Sequence, residues 1–371
     1  MRPNYGERLK YLRAKHGITQ DELAERLGFE SRQIVSNIEK GDRKVGAEEI
    51  IRISEIFNVD MSFFTNPYLL VGNGDFSWRQ TVQNVEALTS FEEKAGEWIG
   101  AYRVLKAQLG DAPHLIMPEI RFASNARLEA AVEAGEAVAE QLKLGEMPGK
   151  DLIEVTEEAL GAIVLHVEPQ DGISGAACRL QDLNAVIVNR REPVGRRTFN
   201  IAHEVFHLLT WEAMPPKKVD VCDPKYNSVK SHTEKLADAF ASGMLLPSKT
   251  IRKYAEYIDY GKAGCIERMN SLATEMNVSA VALGYRMIKL GLADKATFEE
   301  YRTAGFFSYN GDMVGRNESP PLYSKKFLAV LSRGIRNGLV SQLRVLKLLD
   351  LSLVEAKELY EQHKLESPFG I

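Results

Sequence analysis

Two histidines and a glutamate are spaced for metal chemistry within one short segment. His203, Glu204 and His207 form the pattern His-Glu-x-x-His inside a stretch whose apolar residues follow a helical period. Four residues advance an α-helix by about 400°, so the two imidazoles share one face and can bind a single metal ion. Glu204 lies about 100° further round, where its carboxylate can reach a metal-bound water without binding the metal. The pattern is typical of hydrolases, with Glu204 as the general base.

A second predicted helix supplies the remaining groups of such a site. Catalytic zinc sites use three protein ligands and keep one position for water, and two histidines with one glutamate are one such set. Glu234 lies 27 residues after His207 and opens the segment EKLADAFASGMLLP. Asp238 shares its helix face and is placed to accept the second ring N–H of a zinc-bound histidine. We expect one zinc ion per chain, although these ligand types also suit manganese or iron.

Other interpretations of these residues stay open at this point. His203 and His207 can be surface histidines of an ordinary helix, although the apolar residues around them predict burial, where a histidine needs a partner. His232 competes with Glu234 as the third ligand. Either His232 or Tyr226 can instead stabilise the oxyanion of the reaction, or both can be plain loop residues. Deamidase or esterase chemistry would use the same groups as peptide hydrolysis.

The N-terminal residues 1–66 predict a compact block of short helices. Thr19 and Glu22 form a capping box at the start of a helix predicted over 20–27, and a second helix is predicted over 31–39. Two helices joined by so short a turn form a helix-turn-helix, which places its second helix in the major groove of DNA. The side chains expected to face bases are Arg32, Gln33, Ser36 and Asn37. Those expected to contact phosphates are Gln20, Arg43 and Lys44.

The charge of this block is only weakly favourable for DNA. Residues 1–45 carry ten basic and seven acidic side chains, a net of +3, while the whole chain carries −4. One copy should bind DNA weakly, so a homodimer on two half-sites of a double-stranded operator is the more consistent arrangement. The alternative is that the block contacts another protein or has lost its affinity for DNA.

The rest of the chain predicts a multidomain protein, mostly α with an α+β core. Residues 67–120 are expected to be a linker and a packing helix, residues 121–290 the α+β core, and residues 291–371 a small helical C-terminal module. Strands are predicted over 162–167 and 182–189, and helices over 125–142, 152–160, 196–209 and 233–246. The predicted strand 182–189 precedes the helix that carries His203 and His207. The edge of this strand is expected to receive an extended peptide by strand addition. The C-terminal module resembles an interaction or dimer unit, or faintly a second helix-turn-helix.

Composition excludes several classes of protein. No apolar run reaches the roughly 18 residues of a membrane span, and the N-terminal residues lack a secretory signal pattern. Three widely separated cysteines make no metal knuckle among themselves and suit a reducing compartment. We therefore expect a cytoplasmic protein with no membrane partner.

Two families resemble this chain at the motifs described above. RRTFNIAHEVFHLLT followed by EKLADAFASGMLLP resembles the ImmA/IrrE metallopeptidases, and the likeness extends over roughly residues 120–290. It implies a zincin-like α+β fold, zinc held by His203, His207 and Glu234, and a catalytic Glu204. Known members cleave or otherwise inactivate repressor proteins, which implies a protein substrate of the repressor or antitoxin type.

The N-terminal block resembles the Xre/Cro-type helix-turn-helix domain. ITQDELAERLG and SRQIVSNIEKG carry this resemblance, which covers residues 6 to about 64. Together the two resemblances imply a DNA-binding transcription regulator with a zinc metallopeptidase domain. The alternative is a regulator whose metallopeptidase-like domain senses a ligand or a protein partner and cuts nothing.

Overall fold

The N-terminal block folds around an apolar core of its own. The computed structural model describes residues 5–70, 75–80, 85–111, 119–123, 125–169, 172–180, 182–221, 231–307 and 319–370. The first helices are α1 (Tyr5–Lys15), α2 (Gln20–Leu27), α3 (Arg32–Lys40), α4 (Ala47–Phe57) and α5 (Ser62–Thr65). The predicted capping box of Thr19 and Glu22 is confirmed at the start of α2, whereas Ser31 makes no capping bond to α3. Leu23 and Val35 are buried in the core that joins α2 to α3.

A mixed five-stranded sheet forms the centre of the remaining chain. Its strands are β1 (Asp75–Gln80), β2 (Ala162–Val167), β3 (Ile173–Arg179), β4 (Asn184–Asn189) and β5 (Val219–Val221). They lie in the order β2-β4-β3-β1-β5. β4 runs parallel to β2 and antiparallel to β3, and β1 runs antiparallel to β3 and parallel to β5. The fold class predicted from the sequence, mostly α with an α+β core, is confirmed.

The sheet corrects two expectations. Residues 75–80, expected to lie in a linker, form β1, which pairs on both sides within the sheet. Phe76 and Trp78 alternate with polar residues, as is typical of a strand. The turn-forming residues that precede them led to the prediction of a linker instead. The prediction that an edge at 182–189 receives a peptide is wrong, because β2 and β3 already occupy both edges of β4. β3 was not predicted, since its Gly and Ala residues have low β propensity.

Helices cover both faces of the sheet. One face packs against α7 (Leu128–Gln141), α8 (Pro148–Glu158), α9 (Val194–Thr210), α10 (His232–Leu245), α11 (Ser248–Ile258), α12 (Cys265–Glu275), α13 (Ala280–Lys289) and α14 (Lys295–Thr303). The other face packs against α6 (Val85–Gln108), α15 (Lys325–Arg336), α16 (Gln342–Leu349) and α17 (Leu353–Gln362). Side chains of β2 alternate between the two cores, since Val164 lies in the first and Ile163 and Leu165 lie in the second. This alternation is the period of two that a strand imposes.

The predicted division of the chain at residues 66, 120 and 290 stays a prediction. The described residues after position 290 pack into both cores, with Phe298 of α14 in the first and Phe327 of α15 in the second. The Trp98 indole on α6 donates to the carbonyl oxygen of Leu348 at 3.0 Å, which ties α6 to the C-terminal helices. No described helix is long and apolar enough to cross a membrane.

Two glycines set the distance between α10 and α7. A Cβ built on Gly243 of α10 would overlap the carbonyl oxygen of Val132, and one on Gly135 of α7 would overlap that of Phe240. The two backbones therefore approach more closely than any side chain would permit. This contact fixes α10 closely against α7.

Candidate metal centre and nucleic-acid interface

Helices α9 and α10 bring three metal-binding side chains together. His203 and His207 project from one face of α9, and Glu234 projects from the first turn of α10. All three are buried, and their ligand atoms lie within 4.8 Å of one another. The predicted convergence of two imidazoles and one carboxylate is therefore present in the fold.

The spacing of these atoms, 3.0–3.4 Å, is close to the edge length of a tetrahedral zinc site but slightly shorter. Nε2 of His203 lies 3.2 Å from Nε2 of His207 and 3.0 Å from Oε2 of Glu234. Nε2 of His207 lies 3.4 Å from Oε1 of Glu234. Zinc bonds to nitrogen and oxygen of about 2.0–2.2 Å place two tetrahedral ligands about 3.3–3.5 Å apart. The residues present thus fit a zinc ion, since two imidazole nitrogens and a carboxylate converge in a buried site.

The charge state of Glu234 suits a ligand. Burial alone would raise the pKa of this carboxyl, but its hydrogen bonds to His203 and His207 outweigh burial and hold the pKa well below its usual range. Glu234 is consequently ionised at neutral pH, which is the form that binds a metal.

Asp238 contacts His203 directly, and Glu204 is its neighbour along α9. Nδ1 of His203 lies 3.0 Å from Oδ1 of Asp238. A proton on Nδ1 is favoured by that carboxylate and leaves Nε2 available as the metal-binding atom. Glu204 follows His203 on α9 and is only 1% exposed, so its carboxylate is shielded from bulk water.

His232, which competes with Glu234 as the third ligand, has a partner outside the ligand set. Nε2 of His232 lies 3.0 Å from the carbonyl oxygen of Ala126, and His232 is exposed at the start of α10. It is therefore directed away from the three ligand atoms. Tyr226 lies outside the described residues.

The recognition helix α3 presents its polar residues to the surface. Arg32 and Gln33 are exposed and Ser36 and Asn37 are half-buried, while Val35 on the opposite side is buried. Arg32 lies 3.8 Å from the exposed carboxylate of Asp21, an ion pair weak enough to yield to a stronger partner. The Gln33 amide donates to Oδ1 of Asn37 at 2.8 Å.

The three residues expected at phosphates differ in their availability. Gln20 donates to Oε2 of Glu39 at 2.7 Å, so its amide is already engaged. Arg43 makes two hydrogen bonds to Glu49, at 2.7 and 3.1 Å, which raise the pKa of the guanidinium and offset its charge. Lys44 is exposed after the turn.

Comparison with known families agrees with both parts of this geometry. Residues 9–64 match a helix-turn-helix domain, and residues 161–287 match the IrrE N-terminal-like domain. The chain contains both domains. His203, Glu204, His207, Glu234 and Asp238 all lie inside the IrrE-like domain.

The curated relatives match short segments only. An uncharacterised helix-turn-helix-type transcriptional regulator of Sinorhizobium medicae (strain WSM419) is 42% identical over 59 residues, which cover 16% of this chain and 42% of that protein. A regulator of the same description from Rhizobium meliloti (strain 1021) gives the same values. A helix-turn-helix-type transcriptional regulatory protein of Pyrococcus furiosus is 49% identical over 53 residues, covering 14% of this chain and 16% of that one. The chain thus spans less than half the length of each of these relatives.

Two solved structures give only distant likenesses. Bacillus thuringiensis PlcR, in complex with the peptide PapR7 and DNA, aligns over 92% of this chain and all of that one, at 13% identity and a TM-score of 0.17. A PrgX mutant aligns over 98% of this chain and 96% of that one, at 11% identity and a TM-score of 0.16. These TM-scores carry no argument about this protein.

Two polar residues beside the metal centre were missed by sequence reasoning. Arg79 of β1 is buried, and its Nη1 donates to Oδ1 of Asn200 at 3.0 Å. Asn200 precedes His203 by one turn of α9, and that spacing could have placed it near the site. No local signal marks Arg79, because it precedes the IrrE-like domain and lies in a segment expected to be a linker.

Proposed function

We propose that this protein is a cytoplasmic, DNA-binding transcription regulator whose IrrE-like domain is a zinc-dependent endopeptidase. Its substrate is a partner protein of the repressor or antitoxin type. The observation that carries the proposal is the meeting of Nε2 of His203, Nε2 of His207 and the Glu234 carboxylate within 3.0–3.4 Å of one another. Burying two imidazoles and a carboxylate costs free energy, and a helix that served only to pack the core would gain nothing from it.

The ligands and their neighbours have distinct tasks. His203, His207 and Glu234 would hold zinc, which when bound supplies a Lewis acid and lowers the pKa of water. Asp238 orients the His203 ring through Nδ1. The three ligands are buried, whereas the Asp238 side chain is 28% exposed.

Glu204 moves the proton in peptide hydrolysis. Its carboxylate accepts a proton from the attacking water as the water oxygen bonds to the amide carbon. It then delivers that proton to the leaving nitrogen as the carbon–nitrogen bond breaks. Glu204 is not one of the three residues whose ligand atoms converge, and it follows His203 directly on α9.

The helix-turn-helix domain supplies the second activity. Arg32 and Gln33 on the exposed face of α3 would read base edges of an operator, with Lys44 on the phosphates. The net charge of +3 over residues 1–45 favours binding as a homodimer, in which two such surfaces act together.

The decisive experiment is the Glu204→Gln variant of the full-length chain. The amide retains the size of the side chain and cannot accept the proton, so zinc content and DNA binding should persist while cleavage of a captured partner falls by at least about 100-fold. The substrate is found by affinity capture with this variant, and wild-type protein should then cut it. His207→Ala serves as the matched control, because it should lose both zinc and cleavage.

Unchanged cleavage or signalling by Glu204→Gln would contradict the peptidase assignment. If the wild type binds zinc and signals but neither form cuts any captured partner, the domain is a sensor within a non-catalytic regulator. The DNA-binding proposal is tested separately below.

A further inference from the structure

Arg79 contacts both helices that carry the metal-binding residues. Its Nη1 donates to Oδ1 of Asn200 on α9 at 3.0 Å, and its Nη2 lies 3.8 Å from Oδ1 of Asp238 on α10. The guanidinium is about nine-tenths buried, and Asn200 is 1% exposed. One side chain of β1 therefore spans the gap between α9 and α10.

Both contacts of Arg79 lead to the ligand set. The oxygen of Asp238 that faces Arg79 is the one that lies 3.0 Å from Nδ1 of His203. Asn200 lies one helical turn before His203 and Glu204, and its amide donates to Oε2 of Glu192 at 2.6 Å. The side chains of Arg79, Asp238 and His203 thus form a continuous polar path to the metal-binding nitrogen.

We propose that Arg79 is a positioning residue of the metal centre, which holds α9 and α10 at the separation that zinc requires. This inference rests on the proposed metal site. It also means that β1, which lies outside the residues matched by the IrrE-like domain, is part of the working site. A domain cut at residue 120 or 161 would lack this contact.

Two opposite effects follow from removing the Arg79 side chain. Loss of its positive charge, taken alone, would favour a divalent cation among the carboxylates of Glu234, Asp238 and Glu204. Loss of the bridge would instead leave Asp238 free to turn toward water, since its side chain is already 28% exposed. His203 would then lose the partner that orients it. The sign of the change in zinc affinity therefore separates a positioning role from charge compensation.

The test measures zinc affinity of the full-length protein by competition with a chromophoric chelator. Arg79→Met should bind zinc about 10-fold more weakly, a loss in the range seen when outer partners of metal ligands are removed. Arg79→Lys should show an intermediate loss, because lysine keeps the charge but its single ammonium cannot reproduce the fork that spans two helices. The absorption bands of the cobalt(II)-substituted Arg79→Met protein should shift, since they report the ligand geometry directly.

A double-mutant cycle tests whether Arg79 acts through Asp238. In an Asp238→Asn background, Arg79→Met should cause a further loss of less than about 2-fold, since the path to His203 is already broken. Arg103→Met is the matched control, because Arg103 makes a similar ion pair, at 2.7 Å to Asp182, on the other side of the sheet. Its zinc affinity and cobalt spectrum should equal those of the wild type.

Three results would overturn the positioning role. They are zinc binding by Arg79→Met as tight as or tighter than wild type, an equal loss in Arg103→Met, or fully additive losses with Asp238→Asn. If Arg79→Met does not fold, the same criteria apply to Arg79→Lys. Absence of zinc binding by the wild type would instead overturn the proposed metal site itself, whereas wild-type zinc binding without peptidase activity would leave Arg79 as a positioning residue.

Discussion

The imidazole of His203 is held between two carboxylates, with Nδ1 3.0 Å from Asp238 and Nε2 3.0 Å from Glu234. Both carboxylates come from α10, one helical turn apart, whereas the ring comes from α9. The pair Glu234 and Asp238 thus acts on opposite nitrogens of a single ring. One carboxylate orients the imidazole and the other shares the proposed metal ion with it.

Asp238→Asn tests the orienting carboxylate. The amide keeps the shape of the side chain but removes the charge that favours a proton on Nδ1, so zinc affinity should fall by about 10- to 100-fold. Chelator competition measures the change, and Asp182→Asn on the other side of the sheet is the control. Equal affinity in Asp238→Asn and wild type would show that the hydrogen bond to His203 does not support metal binding.

His207→Ala tests the ligand set against the competing histidine. The variant retains only two ligands and should lose nearly all zinc after dialysis, whereas the wild type should retain about one ion per chain. His232→Ala is the matched control and should also retain about one ion, because His232 is directed toward the carbonyl oxygen of Ala126. Elemental analysis gives the count. A zinc loss in His232→Ala equal to that in His207→Ala would contradict the assignment of ligands.

Arg32→Ala combined with Gln33→Ala tests the DNA-reading face of α3. Loss of two base-contacting side chains should weaken binding to a target selected by the wild type from random DNA by at least about 10-fold. Binding to scrambled DNA should change much less, because phosphate contacts carry no sequence information. Fluorescence anisotropy at one fixed salt concentration measures both.

The charge-matched control for that experiment is Arg252→Ala, which removes one exposed cation from α11. It should leave the affinity for the selected target unchanged. If the double variant and the wild type discriminate equally between target and scrambled DNA, α3 does not read the sequence.

His166→Gln tests the acid sensitivity of the fold. Burial, followed by the charge of Arg197, lowers the pKa of the His166 imidazole to about 4. Between pH 6.5 and 4 the unfolded chain therefore binds a proton that the folded chain does not, and stability falls as the pH decreases through this window. The contribution lost is up to roughly 3 kcal/mol.

Urea unfolding at pH 7 and pH 5 measures this effect. The decrease in unfolding free energy between the two pH values should be smaller in His166→Gln than in the wild type. Replacement of the exposed His16 by Gln should leave the decrease unchanged. An identical decrease in wild type and His166→Gln would assign the acid sensitivity to other groups.

Gly243→Ala tests the close approach of α10 and α7. The new methyl group would overlap the carbonyl oxygen of Val132, so the helices must separate at a cost of about 2 kcal/mol in unfolding free energy. Gly96→Ala in α6 is the control, because its new Cβ would meet only Leu70 at an ordinary 3.8 Å. That variant should be unchanged or up to about 1 kcal/mol more stable, since alanine favours a helix. A destabilised Gly96→Ala together with a tolerated Gly243→Ala would contradict the packing.

Sequence reasoning predicted the local structure well where a short-range pattern determines it. The helix predicted over 196–209 is Val194–Thr210, that over 233–246 is His232–Leu245, and the strand over 162–167 is Ala162–Val167. Residues three or four positions apart on a helix are neighbours in any fold that keeps the helix. The shared faces of His203 with His207, and of Glu234 with Asp238, follow from spacing alone.

The tertiary structure decided what long-range pairing controls. The incorporation of residues 75–80 into the sheet depends on a partner strand about 100 residues away, at Ile173–Arg179, and the burial of β4 depends on pairing with both β2 and β3. The engagement of Gln20 by Glu39 and of Arg43 by Glu49 likewise depends on how neighbouring helices pack. Such contacts produce no periodic pattern in the sequence, so the spacing of residues cannot reveal them.

The residue types and their order therefore determined which chemistry this protein can carry, because helical geometry alone places the two histidines of α9 on one face of that helix and the two carboxylates of α10 on one face of theirs. Only the fold decided that α9 and α10 meet, that Arg79 from a distant strand contacts both helices, and that His232 is hydrogen-bonded to Ala126 instead of joining the ligands. Contacts between elements arise from the packing of whole apolar faces, and that packing is a property of the complete chain.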